Sequence, residues 1–209
     1  MSVDYRKVFA QQLKERFAPA LRLAGFKGSG THFRRINGEV INTIWIQGSQ
    51  DGTKCVVNLG LHLTFLPLHG IGELPDVAKI KEIDCEFRDR LAPAGMQDYW
   101  WEYGSLLSPP SKHIAHLYAT YFEYGESRFR AFDSVEAVAE MFSPERLRSG
   151  SYMNGFGGIT VPRAALTMAR IRTHLGQKQL AVEYARVGLD KLGNASGLRS
   201  VLEELARAA

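Results

Sequence analysis

The stretch EVINTIWIQGSQDGTKCVVNLGLHL, residues 39–63, decides the fold. It holds two runs rich in Ile, Val, Leu and Thr, separated by a short polar segment around Asp51-Gly52. Such runs around a tight Gly-containing turn read as an antiparallel hairpin. A two-residue loop at Asp51-Gly52 sets the register: Gln47 faces Val56, Trp45 faces Asn58, Ile44 faces Leu59 and Ile41 faces His62. Asn37-Gly38 is a second candidate turn of the same kind. It adds the strand THFRRI in front and places Phe33 opposite Asn42, Arg34 opposite Ile41 and His32 opposite Thr43.

Directly opposed residues lie on the same side of a sheet. Sorting by side puts Phe33, Ile44, Ile46, Cys55, Val57, Leu59, Leu61 and Leu63 on one face, which needs a cover. The other face holds His32, Arg34, Thr43, Trp45, Gln47, Asn58, Gly60 and His62. Antiparallel sheets often have a solvated side, and polar residues there need no purpose. A merely solvated side, however, favours Lys, Glu and Thr. Here the residues are directional amides, imidazoles and an indole. Amides offer a donor and an acceptor together, Trp offers area at low entropy cost, and Arg34 presents paired N–H donors to a carboxylate or phosphate. The candidate ligand-binding residues are therefore Arg34, Trp45, Gln47, Asn58 and His62, with Arg88 and Trp101 from the segments that follow.

Outward from the hairpin, residues 5–24 form an amphipathic helix. Phe9, Leu13, Phe17 and Leu21 are helically spaced, Pro19 kinks it, and Gly25 stops it. Residues 66–78, with Pro67, Gly70, Gly72 and Pro75, read as a loop. AKIKEIDCEFRDRLAP fits a strand or a helix equally. Its alternating charges suit an intramolecular salt-bridge cluster, with Arg88 or Arg90 as an anion ligand in the sharper reading. In DYWWEY, Trp100 and Trp101 divide between core and site. Residues 111–132 suit a helix, and DSVEAVAEMF suits a shorter one capped by Asp133 or Ser134. A Gly-rich joint, SGSYMNGFGGITVP, then leads to helices near 163–175 and 178–192 and a last one after Asn194. The first two have the small-residue spacing of a tetratricopeptide unit, but no second copy follows. The expected organisation is an α+β domain over 1–150 and a helical appendage over 160–209: a small antiparallel sheet, helices on one face, and a C-terminal helical hairpin.

Composition narrows the function classes. The 26 basic and 22 acidic residues are evenly spread, so no basic arm demands nucleic acid. The first residues mix acids with bases and form no apolar run, and no stretch suits a spanning helix, so a cytoplasmic protein is expected. Two cysteines without CxxC or CxxH spacing imply no metal and no disulfide framework, and no cofactor motif is present. His113 and His116 lack a third zinc ligand.

The motifs GFKGSGTHFRR, IWIQGSQDGTKCVVNLGL, DCEFRDRL and DYWWEY resemble, in this order, a family of uncharacterised bacterial proteins, the domain of unknown function numbered 4304. The resemblance spans roughly residues 5–140 and implies no activity. The residues themselves favour a non-catalytic module that binds a protein or peptide. An enzyme would need His32, His62, Cys85 or Asp84 to converge. A single-stranded nucleic-acid binder would stack bases on Trp45 and hold phosphate with Arg34.

Overall fold

A computed structural model describes residues 3–150, 155–157, 159–193 and 197–208. The strands form one six-stranded antiparallel sheet. They are β1 (Lys27–Ser29), β2 (His32–Asn37), β3 (Val40–Gly48), β4 (Lys54–Leu63), β5 (Phe87–Arg90) and β6 (Trp101–Glu102). Order runs β1-β2-β3-β4-β5, and β6 pairs with the start of β4 beyond β5. Around it lie α1 (Tyr5–Gln12), α2 (Ala18–Leu23), α3 (Pro110–Thr120), α4 (Glu126–Arg130), α5 (Val135–Ala139), α6 (Pro144–Ser149), α7 (Val161–His174), α8 (Lys178–Lys191) and α9 (Arg199–Arg207). This is the expected α+β class.

The β3–β4 register is the one read from the sequence: Trp45 pairs with Asn58, Gln47 with Val56 and Ile41 with His62. The loop is wider than two residues: the last ladder bond runs from Ser49 N–H to Lys54 O, and Gly52 N–H turns back to Ser49 O. Positive φ falls on Gly52 (71°), and the Asp51 carboxylate closes the loop by accepting from Ser49 and Thr53. Those bonds pull the Asp51 carboxyl down to about 2.

The β2–β3 register differs from expectation. Asn37 pairs with Val40, so the two loop residues are Gly38 and Glu39, and Phe33 lies opposite Ile44, not Asn42. Only Gly38 takes positive φ (57°), which suits a Gly-led turn better than one needing positive φ at both positions. The slip is two residues. Side chains alternate with a period of two, so every side keeps its face.

The apolar face is covered as predicted. All eight of its assigned residues, from Phe33 to Leu63, are at most 3% exposed. Phe9, Leu13, Phe17 and Leu21 pack there together with Ile114, Leu117 and Tyr121 of the α3 region. Both long N-terminal and central helices contain a π-turn, Leu13–Phe17 and Tyr121–Gly125, and the Phe17 and Tyr121 rings meet edge-on at 5.5 Å. The break in the first helix is thus a π-turn preceding Pro19, which itself sits in the first turn of α2. Segment 78–93, open between strand and helix, is neither throughout. Glu82–Asp84 form a 3-10 turn, and β5 follows.

In the C-terminal part, α5 is capped by Ser134, whose hydroxyl accepts from Ala137 N–H, and Pro162 occupies the first turn of α7. The joint residues 151–154 and 158, and Asn194-Ala195-Ser196, lie outside the described residues. Ala164, Leu166 and Met168 of α7 belong to the same continuous core as Phe87 and Phe142. No described helix is long and apolar enough to cross a membrane.

Candidate functional site

The polar face divides into a sealed half and an open half. At the β2–β3 turn end, segment 64–86 folds back over the sheet. Ile41, which the alternation puts among the polar residues, is fully buried against Ile80 and Cys85, with Leu68 and Val77 beside them. His62 is the clip. Its Nδ1 accepts from Glu86 N–H at 3.0 Å and its Nε2 lies 3.0 Å from Leu66 O, so the ring is the neutral Nε2–H form. Burial pushes its pKa down, against the pull of the Leu66 hydrogen bond. Thr43 Oγ1 meets Cys85 Sγ at 3.2 Å. Gly60 leaves the space for that contact, since a Cβ there would stand 2.8 Å from Cys85 Sγ.

Helix α7 locks this half. Arg163 donates Nε and Nη2 to the two oxygens of Glu86 at 3.0 and 2.8 Å, and Thr167 Oγ1 donates to the same carboxylate at 2.8 Å. Arg170 donates to Gly70 O, and His174 stacks on Phe65 with ring centroids 3.8 Å apart. Glu86 is 1% exposed, yet its charge is met by a fork and a hydroxyl, as a buried carboxylate requires.

At the β3–β4 turn end the face is open along its edges. Pairing sets His32, Trp45, Asn58 and Arg90 in one row across β2, β3, β4 and β5. The His32 and Trp45 rings stack at 5.7 Å and 17°, and Asn58 Nδ2 donates to Gln47 Oε1 at 3.0 Å. Burial and the Lys81 ammonium hold the His32 pKa below its ordinary value, so it is uncharged at neutral pH. The adjoining row joins Lys27, Arg34, Thr43, Gly60 and Arg88. A groove of about 490 Å³ runs between the β1–β2 end of these rows and residues 78–82. A smaller one of about 230 Å³ lies at Asn58, Glu82, Arg88 and Arg90, beside Gly155 and Gly157. Glu82 borders both. It is 2% exposed, one oxygen accepts from Arg88 Nε at 2.5 Å, and the other has no hydrogen-bond partner.

The seven residues singled out from the sequence therefore separate. Arg34, Trp45 and Gln47 are half-buried at the open end, and Arg88 is exposed but tied to Glu82. Asn58 is 5% exposed, its amide used internally by Gln47. His62 and Trp101 have no exposed surface to offer a ligand. Trp101 pairs with Cys55, a core-face residue, so it points into the core, where its indole N–H donates to His116. Alternation sends its neighbour the other way. Trp100 is 37% exposed, with Lys54 Nζ 5.1 Å and the Arg90 guanidinium 5.9 Å from its ring. Lys27, Lys81 and Glu82 were missed, and of the two tryptophans weighed in DYWWEY the expected site residue was Trp101, whereas Trp100 is the one that faces out. Lys27 and Trp100 follow from alternation once β1 and β6 are placed, whereas Lys81 and Glu82 arrive on an irregular loop.

The enzyme constellation does not assemble. No hydrogen bond among the described residues joins any two of His32, His62, Cys85 and Asp84; Cys85 instead bonds Thr43 and Lys81 O. Burial pushes the Cys85 thiol up to about 12, which disfavours a thiolate. No cluster of metal-ligating side chains occurs among the described residues.

Residues 17–113 match the family model described as Domain of unknown function (DUF4304). The DUF4304 segment contains all six strands and lies inside the span of the sequence resemblance. It holds the whole polar face, including Glu86, while Arg163 and Thr167 come from beyond it. No curated protein and no solved structure matches the chain.

Proposed function

We propose that the chain is a non-catalytic binding module whose open half of the polar sheet face receives a protein or peptide segment. The observation that carries this reading is the cross-strand row His32–Trp45–Asn58–Arg90, flanked by a second indole at Trp100. Rigid aromatic side chains beside amides and guanidinium groups are the composition of binding hot spots. The row sits on strands, so its geometry is set before any partner arrives and little ordering entropy opposes binding. The sealed half supplies the stiffness: His62, Glu86 and α7 pin the cover of the sheet and leave the other end free.

Selection of random heptapeptides on the immobilised full chain tests the reading. The selected peptides should lose about thirtyfold in affinity on Trp45→Ala, the equivalent of a hot-spot residue at about 2 kcal/mol. Circular dichroism should show the variant folded. Selected peptides that bind wild type and Trp45→Ala equally, or no selection at all, would remove the open half as the binding surface.

A further inference from the structure

We infer that the segment received is acidic and extended, with a carboxylate seated among Lys27, Arg34 and Lys81 and an N–H of the segment meeting Glu82. This rests on the binding reading above and adds the chemistry of the partner. Among the described residues, none of these three cations forms an ion pair with a carboxylate, although other charged side chains of the sheet and its cover do: Arg88 with Glu82, Arg90 with Asp98, Lys79 with Asp76. Arg34 reaches only Ile80 O, at 3.5 Å. All three line the groove of about 490 Å³, whose single acid is Glu82. Three positive charges without an ion-pair partner, of which Arg34 also feels the more distant Asp76 carboxylate, line one concavity of that size and make a field that an anionic group lowers.

The second observation is Glu82, which lines the same groove and has one buried carboxylate oxygen without a donor. A buried carboxylate oxygen left unpaired is costly, and a donor arriving there recovers that cost. An occupant must therefore bring negative charge and an N–H together. A peptide with Asp or Glu side chains does so at every residue, because each carboxylate comes with a main-chain amide. A phosphodiester backbone itself offers acceptors and no donor, so a nucleic-acid strand would meet Glu82 only by turning a base N–H into the groove, whereas a peptide carries its amide beside each carboxylate. The stacked His32 and Trp45 rings next to the groove give the flanking residue of the segment a flat surface to lie against.

The same heptapeptide selection provides the test, followed by the charge reversals Lys27→Glu and Lys81→Glu, both at exposed positions where folding is undisturbed. Expected are peptides enriched in Asp and Glu that weaken as ionic strength rises. Each reversal should cost them roughly tenfold in affinity. Peptides that depend on Trp45 yet are neutral or basic, and are indifferent to both reversals, would overturn the acidic assignment and leave the binding surface standing. Absence of any selected peptide would overturn both. Binding of a deoxythymidylate oligonucleotide with no peptide bound would overturn the peptide assignment in favour of a nucleic-acid strand.

Discussion

Removing the Arg163 side chain should destabilise the protein more than removing the charge it neutralises. Glu86 is 1% exposed and Arg163 28% exposed. Arg163→Ala leaves an ionised carboxylate in the interior with Thr167 as its remaining side-chain donor. Breaking a buried pair from one side costs about 3–5 kcal/mol. The retained Thr167 bond and the water admitted by the deletion argue for the lower end, about 3 kcal/mol. For a chain of this length that corresponds to a fall in Tm of roughly 6–12 °C. Glu86→Gln leaves its uncompensated charge on Arg163, which reaches solvent, so the loss should be smaller. Thr167→Val removes one hydrogen bond to a charged group, about 1.5 kcal/mol. The double variant Glu86→Leu, Arg163→Met removes both charges and should recover to within about 1 kcal/mol of wild type. Urea unfolding followed by tryptophan fluorescence, with Trp101 as the buried reporter, and by far-UV circular dichroism gives all four values. A loss below about 1 kcal/mol for Arg163→Ala, or a Glu86→Leu, Arg163→Met double variant no more stable than Arg163→Ala, would refute the claim that this pair locks α7 to the sheet.

Two other consequences concern the same half of the face. The His62 pKa lies below its ordinary 6.5, so unfolding takes up a proton between the folded pKa and 6.5. The stability His62 contributes is therefore complete above pH 6.5 and is lost as pH falls through the folded pKa. His32 and His113 shift the same way, so the comparison is with His62→Gln, whose stability should fall less on acidification. An equal slope in both proteins would contradict the role of His62. Gly60→Ala should cost about 1–3 kcal/mol through the collision with Thr43 and Cys85, and Thr43→Ala should relieve part of it. Gly38→Ala meets no neighbouring atom within 4 Å and should cost about 1 kcal/mol from positive φ alone, with no partner substitution able to rescue it. Thermal melts distinguish the two.

Much of the fold was legible because the deciding information is local. The β3–β4 register follows from a turn and an alternation within 25 residues, residues 39–63, and the face assignment survived a misplaced β2–β3 turn because the error was even. Where neighbours compete, local information runs out. Trp100 and Trp101 are chemically equal, and only the pairing of Trp101 with Cys55 decides which turns inward. The cover of the sheet was hidden for a different reason. Segment 64–86 has no single periodicity, being a loop over 66–78 followed by residues that fit strand and helix alike, and its anchors come from α7, where Arg163 lies 77 residues from Glu86. Ile41 was the one visible hint, an apolar side chain stranded on the polar side.

The hairpin also separates what can drift from what cannot. On β3 the even positions build the interior and the odd ones meet the cover and the outside; on β4 the parities exchange. Half-buried Arg34 and Trp45 can thus change while the interleaved core positions stay constant, whereas Gln47 is tied to Asn58 and changes with it. The outer face of the scaffold is in this way open to change without its folding problem being solved again.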